Sequence, residues 1–170
     1  MKPLSTPILA TILLLTISCG NSKSSPEASA ATNPVKPGTS SDNDKPIQMT
    51  KALFIANVSD YEKNPDNWSY KGSRPCVIDF YADWCRPCKM VAPLMDGFAS
   101  TYKGEVDIYK VNVDKERELA ELFGIKSIPT VIFCPMEGKP QMAQGALSKD
   151  DYDKIITGFL LKQTNESTNK

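Results

Sequence analysis

The sequence contains no histidine among its 170 residues. A Ser-His-Asp triad, a Cys-His protease dyad, a histidine-ligated zinc site and an imidazole pH switch are therefore excluded. An excess of charge of one sign is also missing, because 20 basic residues balance 20 acidic ones. A nucleic-acid partner is not expected, since binding to phosphates needs clustered positive charge. Five cysteines remain, and they direct attention to chemistry at sulfur.

The N-terminal apolar run, residues 8–17, is too short to span a bilayer as a helix. It follows Lys2 and precedes Cys19, which is the arrangement of an export signal. This end resembles the lipobox of bacterial lipoproteins, in which the signal is cleaved before a cysteine that then carries lipid, although Thr16 stands where that family usually has Leu. We predict an exported chain lipidated at Cys19. In the alternative, the signal is an ordinary cleaved one and Cys19 is incidental.

Composition divides the chain into four parts. Residues 1–18 are the predicted signal peptide, and residues 19–47 are a tether rich in Ser, Pro and Thr. Such a tether buries too little apolar surface to offset the entropy lost on ordering, so we expect it to be flexible. Residues 48–162 form the one predicted domain, and residues 163–170 are a polar tail.

Within the domain, alternating hydrophobic patterns predict an α/β fold. A short apolar run at residues 52–55 predicts the first strand, and polar residues 57–64 have helical character before a loop at 65–75. Residues 76–81 predict a strand buried on both faces. The later elements are a helix with Met90, Val91, Leu94, Met95, Phe98 and Tyr102 on one face, strands at 106–113, 130–133 and 141–144, a short helix at 119–123 and a last helix capped by Ser148. The order is β-α-β-α-β-α-β-β-α.

The candidate chemical centre is the cysteine pair in Trp84-Cys85-Arg86-Pro87-Cys88, directly after the second of these strands. Two cysteines three residues apart can form a small disulfide ring across the first turn of a helix. A helix N-terminus offers unpaired amides and a positive dipole end, which stabilise a thiolate. We expect Cys85 to be exposed and reactive, and Cys88, one turn further on, to be more buried.

Around this pair the chain resembles the thioredoxin family. The resemblance covers residues 51–161 and includes the stretch 77–90, Pro93, Lys110, Ile128-Pro129-Thr130 and Gly145-Ala146-Leu147-Ser148-Lys149. It implies the thioredoxin fold, in which helices flank a central mixed β-sheet in the order βαβαβαββα. It also implies a thiol–disulfide oxidoreductase that acts on protein disulfides with no cofactor and no metal.

The resemblance implies a role for four residues of the centre. Cys85 attacks a substrate disulfide, and Cys88 resolves the mixed disulfide. Asp79 lies in the apolar strand before the pair, where burial raises the pKa of a carboxyl, and is expected to relay a proton. Lys110 is expected to tune Asp79. In the alternatives, Asp79 reaches solvent from the strand end and Lys110 is a solvated strand residue.

A substrate groove is also implied. Pro129 is expected to be a cis-proline facing the sulfurs, and the backbone at Ile128 to pair with an extended substrate segment. Trp84 would lie on the apolar rim, unless it packs in the core, and Gly145 in a turn beside it, unless it is an ordinary strand-end glycine. The full set of expected substrate contacts is Trp84, Arg86, Pro87, Ile128, Pro129, Gly145 and Ala146.

Three residues depart from the family pattern. Arg86 stands where reducing thioredoxins usually have Gly, and its guanidinium should favour the Cys85 thiolate and make the disulfide somewhat more oxidising. Cys76 and Cys134 are additional cysteines that adjoin apolar strands, so we predict that they pack as small buried side chains. A second redox pair would require these two to be adjacent in the fold, which the sequence leaves open.

The leading functional prediction is a monomeric, membrane-tethered reductase or isomerase of protein disulfides on the periplasmic side of a bacterial membrane. Relatives outside the cytoplasm draw electrons from a membrane thiol transporter, so a membrane thiol-electron donor is expected. A disulfide-forming oxidase remains open because of Arg86. An alternative of another class is a metal-binding lipoprotein, in which Cys76, Cys85, Cys88 and Cys134 converge on one thiolate site. A redox-inactive binding module is disfavoured by the presence of both motif sulfurs.

Overall fold

The computed structural model describes residues 44–162. The predicted signal peptide, Cys19, the tether as far as residue 43 and the polar tail lie outside the described residues. Within the described part, no helix is long and apolar enough to cross a membrane.

A five-stranded mixed sheet forms the centre of the domain. The strands are β1 (Ile47–Gln48), β2 (Cys76–Tyr81), β3 (Asp107–Asn112), β4 (Thr130–Cys134) and β5 (Gln141–Gln144). They lie side by side in the order β1-β3-β2-β4-β5. β3 runs parallel to β1 and β2, whereas β4 runs antiparallel to β2 and β5. The central strand, β2, is buried on both faces as predicted.

Helices cover both faces of this sheet. They are α1 (Lys51–Asn57), α2 (Cys88–Thr101), α3 (Arg117–Leu122) and α4 (Lys149–Ile155), and a π-helical segment (Ile156–Leu161) continues α4. Apolar side chains of α2 and α4 pack in one buried cluster, and those of α1 and α3 pack in another. The predicted fold class and element order are confirmed.

The predicted position of the first strand is wrong, although its place in the element order is right. Residues 52–55 lie inside α1, which begins because the Thr50 hydroxyl accepts a hydrogen bond from the Leu53 N–H at 3.2 Å. This helix places Phe54 in the core, and residues 58–64 then form turns. The true first strand is Ile47–Gln48, which pairs with β3. A four-residue apolar run does not distinguish a strand from a helix turn, and pairing across the sheet decides the matter.

The alternation of side chains along β2 positions the site. Val77 packs among the side chains of α2 and α4, and Cys76, Ile78 and Phe80 pack on the opposite face. Asp79 therefore points to the same side as Val77, towards α2. The strand ends at Tyr81, a few residues before the cysteine pair.

Candidate active site

The Cys85–Cys88 pair lies in the short connection between β2 and α2. The Cys85 N–H donates to the Ala82 carbonyl at 3.1 Å, which closes a turn directly after the strand. Cys88 is the first residue of α2, and Cys85 and Cys88 form a disulfide with their Cα atoms 5.3 Å apart. The structure thus confirms that this pair can form a disulfide at the start of a helix.

The N-terminus of α2 directs an amide at the Cys85 sulfur. Pro87, at the cap position of this 14-residue helix, makes no side-chain hydrogen bond to the helix end. Instead the Cys88 N–H donates to Cys85 Sγ at 3.2 Å. In the dithiol state this amide and the helix dipole favour negative charge on Cys85, which is the property that an attacking sulfur needs.

The expected difference in exposure between the two sulfurs is wrong for this disulfide state. Cys85 and Cys88 are each only 3% exposed. They pack with Ala82 against Val113 and Ile128, which shields both sulfurs alike. The asymmetry between them lies in the hydrogen bond from the Cys88 amide to Cys85 Sγ rather than in access to solvent.

Asp79 and Lys110 are direct neighbours on the parallel strands β2 and β3. Asp79 is 4% exposed, so the alternative in which it reaches solvent is wrong. Burial raises the pKa of Asp79 from 3.8 to about 7, and the positive charge of Lys110 opposes this shift. Among the described residues, Asp79 Oδ1 has no hydrogen-bond partner. The carboxyl can therefore exchange a proton near neutral pH.

A cavity of about 250 Å³ connects this carboxyl with the redox pair. Asp79, Cys88 and Lys110 all line it, together with Met95 and Asp96 of α2. Water in a cavity of this size can carry a proton between Asp79 and Cys88 without direct contact of the two side chains. A larger cavity, about 370 Å³, lies between the loop after α1 and the β4–β5 turn and includes neither sulfur.

One of the predicted substrate-contact residues, Ile128, lies beside the sulfurs. The Ile128–Pro129 bond is cis, as the resemblance implied, and Ile128 packs against the Cys85–Cys88 cluster. The Pro129 carbonyl accepts from the Gly145 N–H at 2.8 Å. Gly145 has a φ of 84°, a left-handed conformation that favours glycine, so it is not an ordinary strand-end residue. Ala146 beside it is exposed.

Trp84 lies on the surface next to Cys85, and the alternative in which it packs in the core is wrong. Its side chain is 69% exposed, and Arg86 and Pro87 beside it are exposed as well. The Trp84 Nε1–H donates to Asp114 Oδ2 at 2.9 Å. Sequence reasoning missed Asp114, whose only signal is its place just beyond β3, at the edge where the carboxyl ends of parallel strands meet.

Met90 is a second surface residue near the pair that sequence reasoning placed elsewhere. It was predicted on the buried face of α2, yet it is 63% exposed. Val91, Met95 and Phe98 form the buried stripe at helical spacing, and Met90 lies about 100° away from Val91 around the helix. The exposed sulfur-containing side chain therefore adds apolar surface one turn beyond Pro87.

Cys76 and Cys134 lie at the opposite end of β2 from the redox pair. Both are fully buried free thiols, so the prediction that they pack in the core is confirmed. Residues 76 and 81 are separated by about 17 Å along the strand, so these thiols do not converge with Cys85 and Cys88. Within residues 44–162, no group of three or more potential protein ligands forms a metal site. The thiolate site of the metal-binding alternative is not assembled.

Comparison with known proteins agrees with this geometry. The family model for thioredoxin matches residues 55–158. The chain belongs to the thioredoxin family. It is therefore a thiol–disulfide oxidoreductase, as predicted, and its Cys85–Cys88 disulfide is the corresponding redox centre.

Named relatives support the same assignment. A thioredoxin of Borreliella burgdorferi is 42% identical over 113 residues, which are 66% of this chain and 96% of that protein. Thioredoxin M5, chloroplastic, of Oryza sativa subsp. japonica is 33% identical over 148 residues, 86% of this chain and 83% of the relative. Thioredoxin 1 of Nostoc is 43% identical over 86 residues, 51% and 80% of the two chains.

Proposed function

We propose that this thioredoxin-family protein reduces or isomerises protein disulfides outside the cytoplasm. The cavity that Cys88 shares with Asp79 supports the step in which Cys88 acts as the resolving thiol. A reductase must deprotonate its resolving thiol before it releases product, and the raised pKa of Asp79, about 7, suits a base that works near neutral pH. An isomerase uses the same first attack and the same escape step.

The reaction begins from the dithiol form. The Cys85 thiolate, stabilised by the Cys88 N–H, attacks one sulfur of the substrate disulfide, forms a mixed disulfide and expels the first substrate thiolate. Cys88 then gives its proton to the Asp79 carboxylate and attacks Cys85 Sγ. The second substrate thiolate leaves, and the Cys85–Cys88 disulfide forms. Two electrons have passed from the protein to the substrate.

Substrate binding uses main-chain groups more than side-chain pockets. In this proposal the backbone at Ile128, before the cis-proline, pairs with an extended segment of the partner. The exposed Trp84, Arg86, Pro87 and Ala146 border this edge and supply the remaining contacts. Such a surface accepts many sequences, because hydrogen bonds to a peptide backbone carry little side-chain information.

Disulfide formation is the second candidate function, and the exposed Arg86 beside Cys85 favours it. Two assays on the full chain separate the candidates: reduction of insulin disulfides with a dithiol donor, and oxidative refolding of reduced, unfolded ribonuclease. The proposed reductase accelerates the first reaction more than the second. Faster oxidation of ribonuclease, with little reduction of insulin, would reverse the proposed direction.

Export and lipidation at Cys19 complete the proposal and rest on the apolar run at 8–17 and the lipobox-like sequence after it. A membrane thiol-electron donor would then regenerate the dithiol form, because an oxidising compartment supplies no such electrons. In a bacterial host, labelled palmitate should enter the parent chain and not the Cys19→Ser variant. Label in both chains, or in neither, would remove the lipid anchor from the proposal.

A further inference from the structure

Cys76 and Cys134 occupy directly opposite positions on the antiparallel strands β2 and β4. Directly opposite residues have their side chains on the same face of the sheet, and both cysteines pack in the cluster on the α1–α3 face. The adjacency that the sequence left open is therefore present. The redox mechanism above uses neither thiol.

The spacing of this pair suits a disulfide. Opposite residues of an antiparallel ladder have Cα atoms about 4.5 or 5.5 Å apart, depending on the type of pair. Disulfides form over Cα separations of about 4.4–6.8 Å, so either type of pair falls within the range. The Cys85–Cys88 disulfide spans a comparable 5.3 Å between its Cα atoms. The strand register thus makes the two thiols direct neighbours in the core.

Neither thiol of this pair is accessible to solvent. Both cysteines are 0% exposed, and burial raises the pKa of the Cys134 thiol. Tyr70, from the loop between α1 and β2, packs against the buried cluster that contains both cysteines, and its hydroxyl donates to the Arg74 carbonyl at 2.5 Å. An oxidant reaches these sulfurs only when this loop opens locally.

We propose that Cys76 and Cys134 form a second dithiol–disulfide couple, which links β2 to β4 at the end of the sheet opposite the Cys85–Cys88 centre. The couple responds to the surrounding redox state slowly, through opening of the Tyr70 loop, and does not exchange with substrate proteins. Its disulfide closes a loop from residue 76 to residue 134 that contains the whole active-site connection and α2. Oxidation therefore stabilises the framework that holds the catalytic centre.

The oxidant is a low-molecular-weight disulfide. When the loop opens, one of the two thiols loses its proton and attacks the oxidant, which forms a mixed disulfide and releases one small thiol. The second cysteine then loses its proton and attacks the sulfur of the first. A second small thiol leaves, and the Cys76–Cys134 bond forms. Two electrons and two protons have moved from the protein to the oxidant.

The test uses the full chain carrying Cys85→Ser and Cys88→Ser, so that Cys76 and Cys134 are the only cysteines left in residues 44–162. The protein is incubated with oxidised glutathione in a sub-denaturing concentration of urea, which promotes local opening. Free thiols are then alkylated in full denaturant, and peptides are mapped by mass spectrometry. The expected result is loss of both thiols, a crosslinked Cys76–Cys134 peptide and a rise in thermal midpoint of about 5 °C or more that dithiothreitol reverses.

Two outcomes would overturn the proposal. In one, both thiols remain alkylatable after an exposure that oxidises the fully unfolded chain. In the other, glutathione is found on single cysteines with no crosslink, which would show that the strand geometry does not close. In the same background, Tyr70→Ala should speed crosslinking by roughly tenfold relative to Tyr70→Phe, which keeps the covering ring. Equal rates in these two variants would contradict control by the Tyr70 loop.

Discussion

Strand β2 has a cysteine pair at each end, and the two pairs have different surroundings. Cys85 and Cys88 lie beyond its carboxyl end, where an amide of α2 contacts the Cys85 sulfur and Cys88 lines a cavity shared with Asp79. Cys76 starts the strand and faces Cys134 in the core. All four side chains are at most 3% exposed. Reactivity in this fold therefore follows from the donors and proton acceptors near each sulfur, and exposure alone does not separate the pairs.

Buried carboxylates show the same contrast. Asp79, near the redox centre, has an oxygen without a hydrogen-bond partner among the described residues, and burial raises the pKa of its carboxyl to about 7. Asp107, at the other end of the sheet, accepts from Arg74 Nη2 at 3.0 Å. One acid is held ready to exchange a proton, whereas the other is held in an ion pair that joins two segments.

The largest difference in activity is expected between variants that each lack a sulfur at one end of β2. Cys85→Ser should lower insulin reduction by about 1,000-fold or more, because the nucleophile is lost. Cys76→Ala should change it by less than about twofold, because that thiol is remote from the reacting atoms. Both variants are assayed with the same dithiol donor. Similar losses in the two variants would mean that the pairs are not functionally separate.

Replacing each buried aspartate by asparagine should change the free energy of unfolding in opposite directions. Folding raises the pKa of Asp79 to about 7 from its ordinary 3.8, so the folded state holds the extra proton and loses stability as pH rises between these values. Near pH 8, Asp79→Asn should therefore stabilise the protein by about 2–4 kcal/mol, and near pH 4 by almost nothing. Asp107→Asn should destabilise it by about 1–3 kcal/mol, because the partly buried ion pair with Arg74 loses its negative charge.

Urea unfolding of the parent and both variants at the two pH values measures this difference. A loss of stability in Asp79→Asn near pH 8 would show that the carboxylate is not destabilised by burial. The reduced and oxidised forms are measured separately, so that a change in the disulfide does not enter the comparison.

Asp79 should also set the pH dependence of catalysis. The rate of mixed-disulfide resolution in the parent should rise through a pH near 7, as Asp79 becomes a carboxylate able to accept the Cys88 proton. Asp79→Asn should lower the rate above that pH by roughly tenfold and remove the inflection. Lys110→Gln should move the inflection to higher pH, because the Lys110 charge lowers the pKa of Asp79. An unchanged profile in Asp79→Asn would exclude the proton relay.

Arg86→Gly should have the smallest effect. Arg86 is exposed, and solvent and salt screen its charge, so the Cys85 thiolate should titrate within about half a pH unit of the parent, on the alkaline side. Thiolate absorbance in the reduced protein measures the midpoint. A shift to the acid side would contradict the expected effect of the guanidinium.

Much of this fold could be predicted because its central elements have strong local patterns. Residues 76–81 form an almost continuous apolar run, and Val91, Met95 and Phe98 recur at helical spacing, so β2 and α2 were placed correctly. β1 could not be predicted, because two residues have no periodicity and this strand exists through its pairing with β3. The helix over residues 52–55 depends on the Thr50 cap, which a short apolar run hides.

The candidate site shows the same limit at the level of side chains. Asp79, Cys85, Cys88 and Lys110 could be proposed as site residues from their places in the predicted elements. The parallel pairing of β2 and β3 brings Asp79 and Lys110 together. The Trp84–Asp114 hydrogen bond and the pairing of Cys76 with Cys134 could not be predicted from the sequence. Both depend on how the long connections between strands set their alignment, and neither leaves a local pattern in the sequence.

Equilibration with glutathione buffers of known ratio is the most direct test of the central claim, that electrons flow from the Cys85–Cys88 centre to substrate disulfides. The full chain is equilibrated, thiols are trapped in acid, and the Cys85–Cys88 disulfide fraction is measured by peptide mapping. A reductase predicts that this disulfide persists in buffers where most glutathione is in the reduced form. A dithiol that persists where most glutathione is oxidised would contradict the account and identify the protein as an oxidant.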